Sequence, residues 1–209
     1  MDSLQTAVNL MSKDGFMASI DWKDAYYSMN VANNFRRFLM FQWREKMFQF
    51  TCLPSGCAPR YFTKLSKVLF AQLRKQGYIS TNCIDDCLLF AHTEQECGAN
   101  VEETVCLSTA AGFLVHPEKS VLTPTNEITC LGFILNSEAM TVRLTKDKKE
   151  KLRMACVDIL QRQTITIRQF AKVIDTLVAS FPEVQYDQLF CRQCDLLKNL
   201  TLQLHGDNF

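Results

Sequence analysis

Two adjacent carboxylates between two apolar runs constrain this sequence more than any other feature. Asp85 and Asp86 follow the strand-prone run 78–81 and precede the strand-prone run 88–91. Two such runs joined by a tight acidic connection predict a β-hairpin. Adjacent aspartates repel each other unless a cation or a proton lies between them. A solvated turn would also account for the pair, because Asp favours turns for backbone reasons.

A third carboxylate, Asp21, follows the run 16–20, which predicts a buried strand. A carboxylate at the end of one strand and a pair at a hairpin tip converge if the two strands are neighbours. Hard oxygen ligands of this kind suit Mg²⁺. Two such ions roughly 3.5–4 Å apart would serve an in-line phosphoryl displacement, one activating the attacking hydroxyl and the other stabilising the leaving oxygen. The candidate catalytic residues and metal ligands are therefore Asp21, Asp85 and Asp86.

Five segments, in order, resemble the successive signature motifs of retroelement reverse transcriptases. They are SIDWKDAY (19–26), LPSG with APR (53–60), CIDD (83–86), GF with EKS (112–120) and LGF (131–133). The amino-acid sequences of residues 4–7 and 58–64 are most similar to those in retrotransposons of the DIRS type and in gypsy-like elements. The resemblance covers nearly the whole chain. It implies an RNA-directed DNA polymerase, a nucleotidyltransferase that uses two Mg²⁺ ions, for which Mn²⁺ can substitute.

The resemblance also implies roles for side chains near the three carboxylates. Tyr26 matches the position whose ring excludes a ribose 2′-hydroxyl and so selects deoxynucleotides. Ser55 and Gly56 would line the nucleotide and template pocket, since a glycine permits close backbone approach. Lys119 resembles a lysine that assists the leaving pyrophosphate. The candidate substrate-binding residues are Trp22, Tyr26, Arg37, Ser55, Gly56 and Lys119.

Several of these residues have a structural interpretation that competes with the functional one. An aromatic side chain that closely follows an aspartate, as Tyr26 follows Asp24, usually belongs to a core. A solvated hairpin edge accounts for at least one of Arg36 and Arg37. Asp24 serves equally well as the cap of a helical turn, and a lone surface lysine such as Lys119 need have no role.

The composition is that of a soluble globular protein, with 47% apolar and 22% charged residues. The chain of 209 residues is long enough for one core, or for one domain with an appendage. It contains no apolar run of membrane-spanning length, and residues 1–5 lack the pattern of a signal peptide. We therefore expect an intracellular protein of the cytoplasm or nucleus, with no membrane partner and with its ten cysteines as free thiols.

Basic residues are concentrated in one segment, although the whole chain carries a net charge of only +1. Residues 141–172 contain nine basic and three acidic side chains, a net charge of +6. A basic helical segment beside an acidic catalytic half is what a phosphate-binding arm would look like. A merely solvated helix face is the competing interpretation.

The order of the predicted elements indicates an α+β fold. Strand, hairpin, helix, hairpin, helix and hairpin predict a ferredoxin-like polymerase palm, an antiparallel sheet with helices on one face. We assign residues 1–144 to this palm, which includes a residual fingers hairpin formed by strands 35–41 and 47–51. Residues 145–209 are predicted to be all helical and correspond to the thumb or connection.

Three departures from the family pattern favour a second hypothesis. Cys83 stands where Tyr or Phe is usual, the loop after Gly56 is about two residues shorter than usual, and Asp21 lies only 20 residues from the start. We expect a palm and thumb fragment with most of the fingers missing and no RNase H segment. The alternative function is a catalytically inactive retroelement remnant that only binds nucleic acid. A nucleotidyl cyclase would share the carboxylates but explains neither LPSG nor the helical tail.

The expected partners follow from the polymerase interpretation. They are an RNA or DNA template with its primer, deoxynucleoside triphosphates, and other segments of a retroelement polyprotein. The inactive remnant would share only the nucleic acid.

Overall fold

The computed structural model describes residues 4–25, 27–54, 58–83, 86–180 and 187–205. Its elements are α1 (Leu4–Leu10), β1 (Phe16–Lys23), α2 (Asn33–Arg36), β2 (Met40–Trp43), β3 (Lys46–Gln49), α3 (Ala58–Lys75), β4 (Ile79–Cys83), β5 (Asp86–Ala91), α4 (Glu94–Ala110), β6 (Leu114–Val115), β7 (Val121–Thr125), β8 (Glu127–Cys130), β9 (Phe133–Asn136), β10 (Thr141–Leu144), α5 (Lys146–Gln161), α6 (Ile167–Val178) and α7 (Asp187–His205). Two compact units divide the chain. The first comprises Met1–Cys130 and Leu135–Thr141, and the second comprises Leu131–Ile134 and Val142–Phe209.

The first unit is organised around β1, the central strand of a five-stranded sheet. The strand order is β4-β5-β1-β6, and β7 also pairs with β1. β1 runs antiparallel to β5, β6 and β7, and β4 runs antiparallel to β5. With α3 between β1 and β4, and α4 after β5, this is the βαββαβ order of a ferredoxin-like unit. The predicted antiparallel sheet with helices on one face is confirmed.

Alternation along β1 determines which face of the sheet the helices cover. Ala18, Ile20 and Trp22 are buried together with Cys87 and Leu89 of β5. The same cluster includes Phe62, Leu69, Phe70 and Leu73 of α3 and Cys97 and Val101 of α4. Because side chains alternate across a strand, the odd-numbered residues of β1 point to the opposite face. The helices therefore pack on the even-numbered face of β1.

The spacing of apolar residues in α3 predicts a buried stripe of Phe62, Leu65, Leu69 and Leu73 that Val68 widens, and this prediction is partly wrong. Phe62, Leu69 and Leu73 are buried as expected, but Leu65 is 43% exposed and Val68 is 70% exposed. The buried positions instead continue through Ser66 and Phe70. These five positions follow the i, i+4, i+7, i+8 spacing of one helix face, which the wider predicted stripe missed. Gly77, with φ +92°, lies just past the helix, as predicted.

The sequence pattern Thr93 with Glu96 predicts a capping box at the start of α4, and it is confirmed. Thr93 Oγ1 accepts from the Glu96 amide, and Glu96 Oε2 accepts from the Thr93 amide. Inside the helix, buried Asn100 donates to the Ile79 carbonyl at 3.0 Å and accepts from the Thr104 hydroxyl at 3.2 Å. This polar contact ties α4 to β4, because a buried amide left without partners would be costly.

The hairpin between residues 35 and 51 forms, but its first arm is shorter than predicted. Residues 33–36 are helical, and β2 begins only at Met40. β2 and β3 pair from Met40↔Gln49 to Trp43↔Lys46. Arg44 and Glu45 form the turn with φ of +45° and +64°. Two positive φ values in a two-residue connection are those of a type I′ turn.

The region after residue 112 contains strands that the sequence did not predict. β6 and β7 were both missed, and β7 contains Pro124, which is tolerated at a sheet edge. The apolar runs 128–135 and 140–144 predict the two strands of a hairpin, but residues 128–135 form two strands, β8 and β9. With β10 they make a three-stranded sheet of order β10-β9-β8. Leu131 and Gly132, with φ of +52° and +79°, break the predicted strand. Positive φ at both positions turns the chain back on itself.

The second unit contains α5, α6 and α7, so the prediction that the chain is helical after Leu144 is confirmed for residues 145–180 and 187–205, which the structure describes. The sequence predicts that Thr145 caps α5 and that Thr166 and Gln169 form a capping box for α6, and both caps are present. Leu152 of α5 and Ile174 of α6 are buried. In the part of the chain that the structure describes, every helix is too short or too polar to cross a membrane.

Candidate active site

Asp21 and Asp86 lie directly opposite each other at the end of the central strand pair. The β1–β5 register runs from Phe16↔Ala91 to Asp21↔Asp86. Directly opposed residues of an antiparallel pair share a face, with Cβ atoms about 4.5–5.5 Å apart. Two carboxylates that are 65 positions apart in the sequence are thus brought side by side.

The face that carries this pair is the one opposite to α3 and α4. Met17 and Ser19 precede Asp21 on it, opposite Phe90 and Leu88 of β5. Met17, Leu88 and Phe90 are buried, whereas Ser19, Asp21 and Asp86 are half-buried. Accessibility therefore increases along the strands toward the two carboxylates. The two aspartates are therefore more accessible than the apolar residues that precede them on this face.

Two contacts from the segment after β6 hold the backbone of Asp21. The Asp21 amide donates to Ser120 Oγ at 3.0 Å, and the His116 amide donates to the Asp21 carbonyl at 2.8 Å. The Ser120 amide in turn donates to the His116 carbonyl at 3.0 Å. The segment 116–120 is therefore a closed turn fixed to the residue that carries the first carboxylate. The sequence showed Ser120 only as part of a motif and gave no sign of this contact.

Lys119 lies in this same turn and is exposed. It directly precedes Ser120, whose hydroxyl oxygen accepts a hydrogen bond from the Asp21 amide. Lys119 is thus the sequence neighbour of the side chain that holds the Asp21 backbone.

The assignment of Trp22 to substrate binding needs correction. Its side chain is only 2% exposed and lies in the core of the first unit. The indole stacks on Phe113 with ring centroids 4.7 Å apart, and it contacts Phe70 and Phe62 at 5.7 and 5.6 Å. Alternation along β1 explains this, since Trp22 shares the helix-covered face with Ile20. Trp22 packs the sheet beneath the carboxylates and is not available to a substrate.

Arg37 and Asp24 are both exposed. The Arg37 guanidinium lies 4.9 Å from the centroid of the Phe38 ring, just after α2. Asp24 has φ +50°, and its carbonyl accepts from the Tyr27 amide at 2.8 Å. A backbone turn at Asp24 therefore follows β1, in place of the predicted helical turn with a side-chain cap.

Four of the candidate residues, Tyr26, Ser55, Gly56 and Asp85, lie outside the described residues. Within residues 4–25, 27–54, 58–83, 86–180 and 187–205, no group of three or more His, Cys, Asp or Glu side chains could hold a metal ion. Asp21 and Asp86 form a pair there, and the third proposed ligand is the residue that precedes Asp86 in the chain.

The second unit carries the basic segment on α5 and α6. Arg153 is paired with Glu150 at 2.8 Å and Arg162 with Asp158 at 2.9 Å. Lys146, Lys149 and Lys151 are exposed and form no ion pair within the described residues. Lys148 instead points inward over the Phe133 ring, 3.8 Å from its centroid, and burial lowers the pKa of its ammonium. The first turns of α5 thus present three cations to solvent.

A shallow cavity of about 520 Å³ lies on the second unit. It is lined by Lys148, Arg168, Ala171, Lys172, Asp175, Thr176, Ala179 and Ser180. Three cations and one carboxylate give this surface a net positive charge. It continues the basic character of α5 within the same unit.

Comparison with known proteins agrees with the fold and with the order of the motifs. The sequence profile of the family described as reverse transcriptase (RNA-dependent DNA polymerase) matches residues 1–135. No curated protein matches the chain. Solved structures with a similar fold include foamy viral protease-reverse transcriptase in complex with an RNA/DNA hybrid, with TM-score 0.73 and 18% identity over 92% of this chain and 25% of that chain.

A second solved structure, foamy viral protease-reverse transcriptase dRH in complex with double-stranded DNA, has TM-score 0.76 and 20% identity. It covers 96% of this chain and 33% of that chain. This chain thus spans between a quarter and a third of the length of these two solved chains. The family profile covers well over half of the 209 residues. The chain belongs to the reverse transcriptase family.

Proposed function

We propose that this chain is the palm and thumb of a retroelement RNA-directed DNA polymerase, which extends a primer 3′-hydroxyl by nucleotidyl transfer. The observation that supports it most is the register that sets Asp21 directly opposite Asp86 on the face of the sheet that α3 and α4 do not cover. Asp85 adds a third carboxylate next to this pair in the sequence. Three carboxylates with these positions match the acidic set that phosphoryl transfer with divalent cations requires.

The paired carboxylates fit a hard divalent cation. Like charges directly opposite in a ladder destabilise the strand pair, and a cation between them removes that penalty. Carboxylate oxygens are the ligands that Mg²⁺ prefers, with waters and substrate phosphates completing its shell. Asp21, Asp85 and Asp86 would therefore hold Mg²⁺, or Mn²⁺ in its place. When bound, the ions would activate the primer hydroxyl and neutralise charge on the triphosphate.

The protein's own contribution is to keep the carboxylates in place. The Ser120 hydroxyl and the His116 amide fix the Asp21 backbone, and Trp22 anchors the next residue in the core. Such support keeps a catalytic group within the narrow range of productive geometry. Lys119, in the turn closed by Ser120, would present its ammonium to the leaving pyrophosphate. Tyr26, Ser55, Gly56 and Arg37 remain proposed contacts to the nucleotide and template.

The second unit would bind the duplex through its phosphates. Lys146, Lys149 and Lys151 are exposed along the first turns of α5, where no described carboxylate pairs with them. Cations that neutralise phosphates release counterions, which makes binding strong and salt-dependent. We assign the palm to residues 1–144 and the thumb to 145–209. We place the element near the DIRS and gypsy-like groups, with other polyprotein segments as further partners.

Primer extension on an RNA template with Mg²⁺ tests the proposal. We expect Asp21→Asn, Asp85→Asn and Asp86→Asn each to lower the rate by at least a hundredfold without unfolding the chain. Asp14→Asn is the matched control. It makes the same change at an exposed carboxylate with φ +56°, a conformation that asparagine tolerates.

Two outcomes would contradict the proposed polymerase. Extension that survives Asp21→Asn would show that the carboxylate pair does not carry the chemistry. Salt-sensitive binding of primer–template without extension in either Mg²⁺ or Mn²⁺ would instead support the inactive, nucleic-acid-binding remnant.

A further inference from the structure

The β2–β3 hairpin has a row of aromatic side chains with nothing packed over it among the described residues. Every residue of β2 and β3 is exposed. The register Phe41↔Phe48 and Trp43↔Lys46 sets these four side chains on one face. Trp43 is 62% exposed, Phe41 43% and Phe48 42%. A row of exposed aromatic side chains is typical of a binding surface.

The aromatic rings of this face are already ordered into a platform. Phe41 stacks on Phe48 with centroids 5.6 Å apart and lies 4.9 Å from Phe50. The base of the hairpin is held by backbone hydrogen bonds from Val31 to Thr51 and from Leu53 to Met29. A ligand therefore meets a preformed surface and pays little ordering cost.

Cations surround these rings. The Arg44 guanidinium lies 5.7 Å from the Trp43 ring centroid, and Lys46 shares the aromatic face opposite Trp43. Within residues 33–49 there are four basic side chains and one acidic one, a net charge of +3, although the chain as a whole carries only +1. Aromatic rings can stack on flat bases, and the cations between them can contact a chain of negative charges. The same surface is poorly suited to an apolar protein surface.

The turn itself is built from unusual residues. Arg44 and Glu45 both have positive φ, in a type I′ turn for which Asn-Gly is preferred. A non-glycine residue at positive φ raises the free energy of the folded backbone, and strain of this kind is found mostly at functional sites. The sequence therefore keeps a cation at the tip at the expense of turn stability.

We propose that the aromatic face of the β2–β3 hairpin, formed by Phe41, Trp43 and Phe48 with Arg44 and Lys46, binds single-stranded nucleic acid by base stacking. The inference extends the proposed function, since an unpaired template strand is the partner that such a polymerase would supply. It does not depend on the carboxylate pair, and its test does not depend on synthesis.

Tryptophan fluorescence gives a direct readout. The chain has two tryptophans, of which Trp22 is buried and Trp43 exposed. Titration with oligo(dT) or oligo(rU) of twenty nucleotides should quench the Trp43 emission, because a base stacks on its indole. Anisotropy of a labelled oligonucleotide gives the affinity of each variant. Trp43→Phe should abolish the quenching but keep the affinity within about threefold.

Further variants separate stacking, charge and fold. We expect Trp43→Ala to weaken binding about 5–150-fold, the range for loss of one stacked base. Met47→Ala is the matched control, since Met47 is equally exposed but pairs with Gln42 on the other face. Arg44→Asn with Glu45→Gly leaves the net charge unchanged and relaxes the turn. It should raise the thermal midpoint of the chain yet weaken binding.

The outcomes distinguish this inference from the proposed function. If Trp43→Ala binds the oligonucleotide as tightly as the unmodified chain does, or if no quenching occurs, the inference is wrong. If Trp43→Ala instead abolishes a concentration-dependent dimer seen by light scattering, with oligonucleotide binding unchanged, the face serves a second copy of the chain. If oligonucleotides quench Trp43 but the chain does not extend a primer, the hairpin binding site is supported and the proposed polymerase activity is wrong.

Discussion

Asp21 lies directly opposite Asp86 in the β1–β5 ladder, so two negative charges share one face at the end of the central strands. Without a cation this arrangement costs about 0.2–1 kcal/mol, the range for cross-strand pairs. We expect Asp21→Asn to raise the thermal midpoint in EDTA by about 1–4 °C. Mg²⁺ should raise the midpoint of the unmodified chain by binding the folded state, and should raise that of the variant much less. Circular dichroism melts with and without Mg²⁺ provide the measurement.

The reverse pattern would contradict a cation site. A variant that melts lower in EDTA, while Mg²⁺ stabilises both proteins equally, would mean that Asp21 contributes through contacts other than repulsion. Asp14→Asn again serves as the control, and its thermal midpoint should follow that of the unmodified chain in both EDTA and Mg²⁺, because its ion pair with Lys13 is exposed.

Ser120 provides a test of how the first carboxylate is positioned. Ser120→Ala removes the acceptor of the Asp21 amide and should cost about 1–3 kcal/mol, because the amide is left partly buried without a partner. We expect kcat for primer extension to fall about tenfold, with a smaller change in KM, since the carboxylate is displaced and the nucleotide pocket is not. Ser120→Thr keeps the hydroxyl and should restore most of the rate.

Ser19 is the matched control for this prediction. Its hydroxyl accepts from the Val121 amide at 3.3 Å and so ties β7 to β1 without contacting Asp21. Ser19→Ala should lower stability by a smaller amount, because this hydrogen bond is exposed and water can replace it, and should leave kcat unchanged. Equal kcat losses in the two alanine variants would show that a general loosening of β1 is responsible.

The features that the sequence predicted correctly are those that neighbouring residues determine. The capping boxes at Thr93 and Thr166 each involve residues three apart, so the pattern alone specifies them. β1, which carries Asp21, and the hairpin of β4 and β5 follow from short apolar runs. Fold class follows from the order of these elements.

The features that the sequence missed depend on contacts between distant residues. The Asp21–Ser120 hydrogen bond joins residues 99 positions apart. β6 and β7 pair with β1, but β6 has only two residues and β7 contains Pro124, so neither was recognisable as a strand from its sequence. The burial of Trp22 follows from which face the helices cover, which periodicity alone did not give. Gly132 inside an apolar run was the one overlooked local sign of a turn.

Lys148 stabilises the second unit through three contacts. Its ammonium lies 3.8 Å from the Phe133 ring centroid and donates to the Leu131 carbonyl at 3.4 Å and the Ala179 carbonyl at 3.3 Å. Lys148→Met keeps much of the aliphatic packing but loses these contacts. We expect it to lower the free energy of unfolding by about 1–3 kcal/mol. Urea unfolding monitored by circular dichroism gives the value.

Lys151→Met makes the same change of charge at an exposed position of the same helix. It should leave stability within about 0.5 kcal/mol. If Lys151 contacts a phosphate, its variant should also weaken duplex binding and reduce the salt slope by about 0.9. Equal destabilisation by both variants would show that the contacts of Lys148 contribute nothing specific.

Cys97 makes stability depend on pH in the alkaline range. Burial in the core of the first unit raises the pKa of its thiol from 9.0 to about 11. Between these values the unfolded chain releases the proton and the folded chain retains it, so the contribution of the thiol to stability is complete below pH 9 and is lost as pH rises toward 11.

Cys97→Ala should unfold more easily than the unmodified chain at pH 8 because of the cavity it leaves, but the difference in free energy of unfolding should narrow by pH 10.5. Cys106→Ala, on the exposed side of the same helix, should run parallel to the unmodified chain at every pH. Urea unfolding of the three proteins at pH 8, 9, 10 and 10.5 decides the point, and a constant gap between Cys97→Ala and the unmodified chain would show that the buried thiol does not titrate with unfolding.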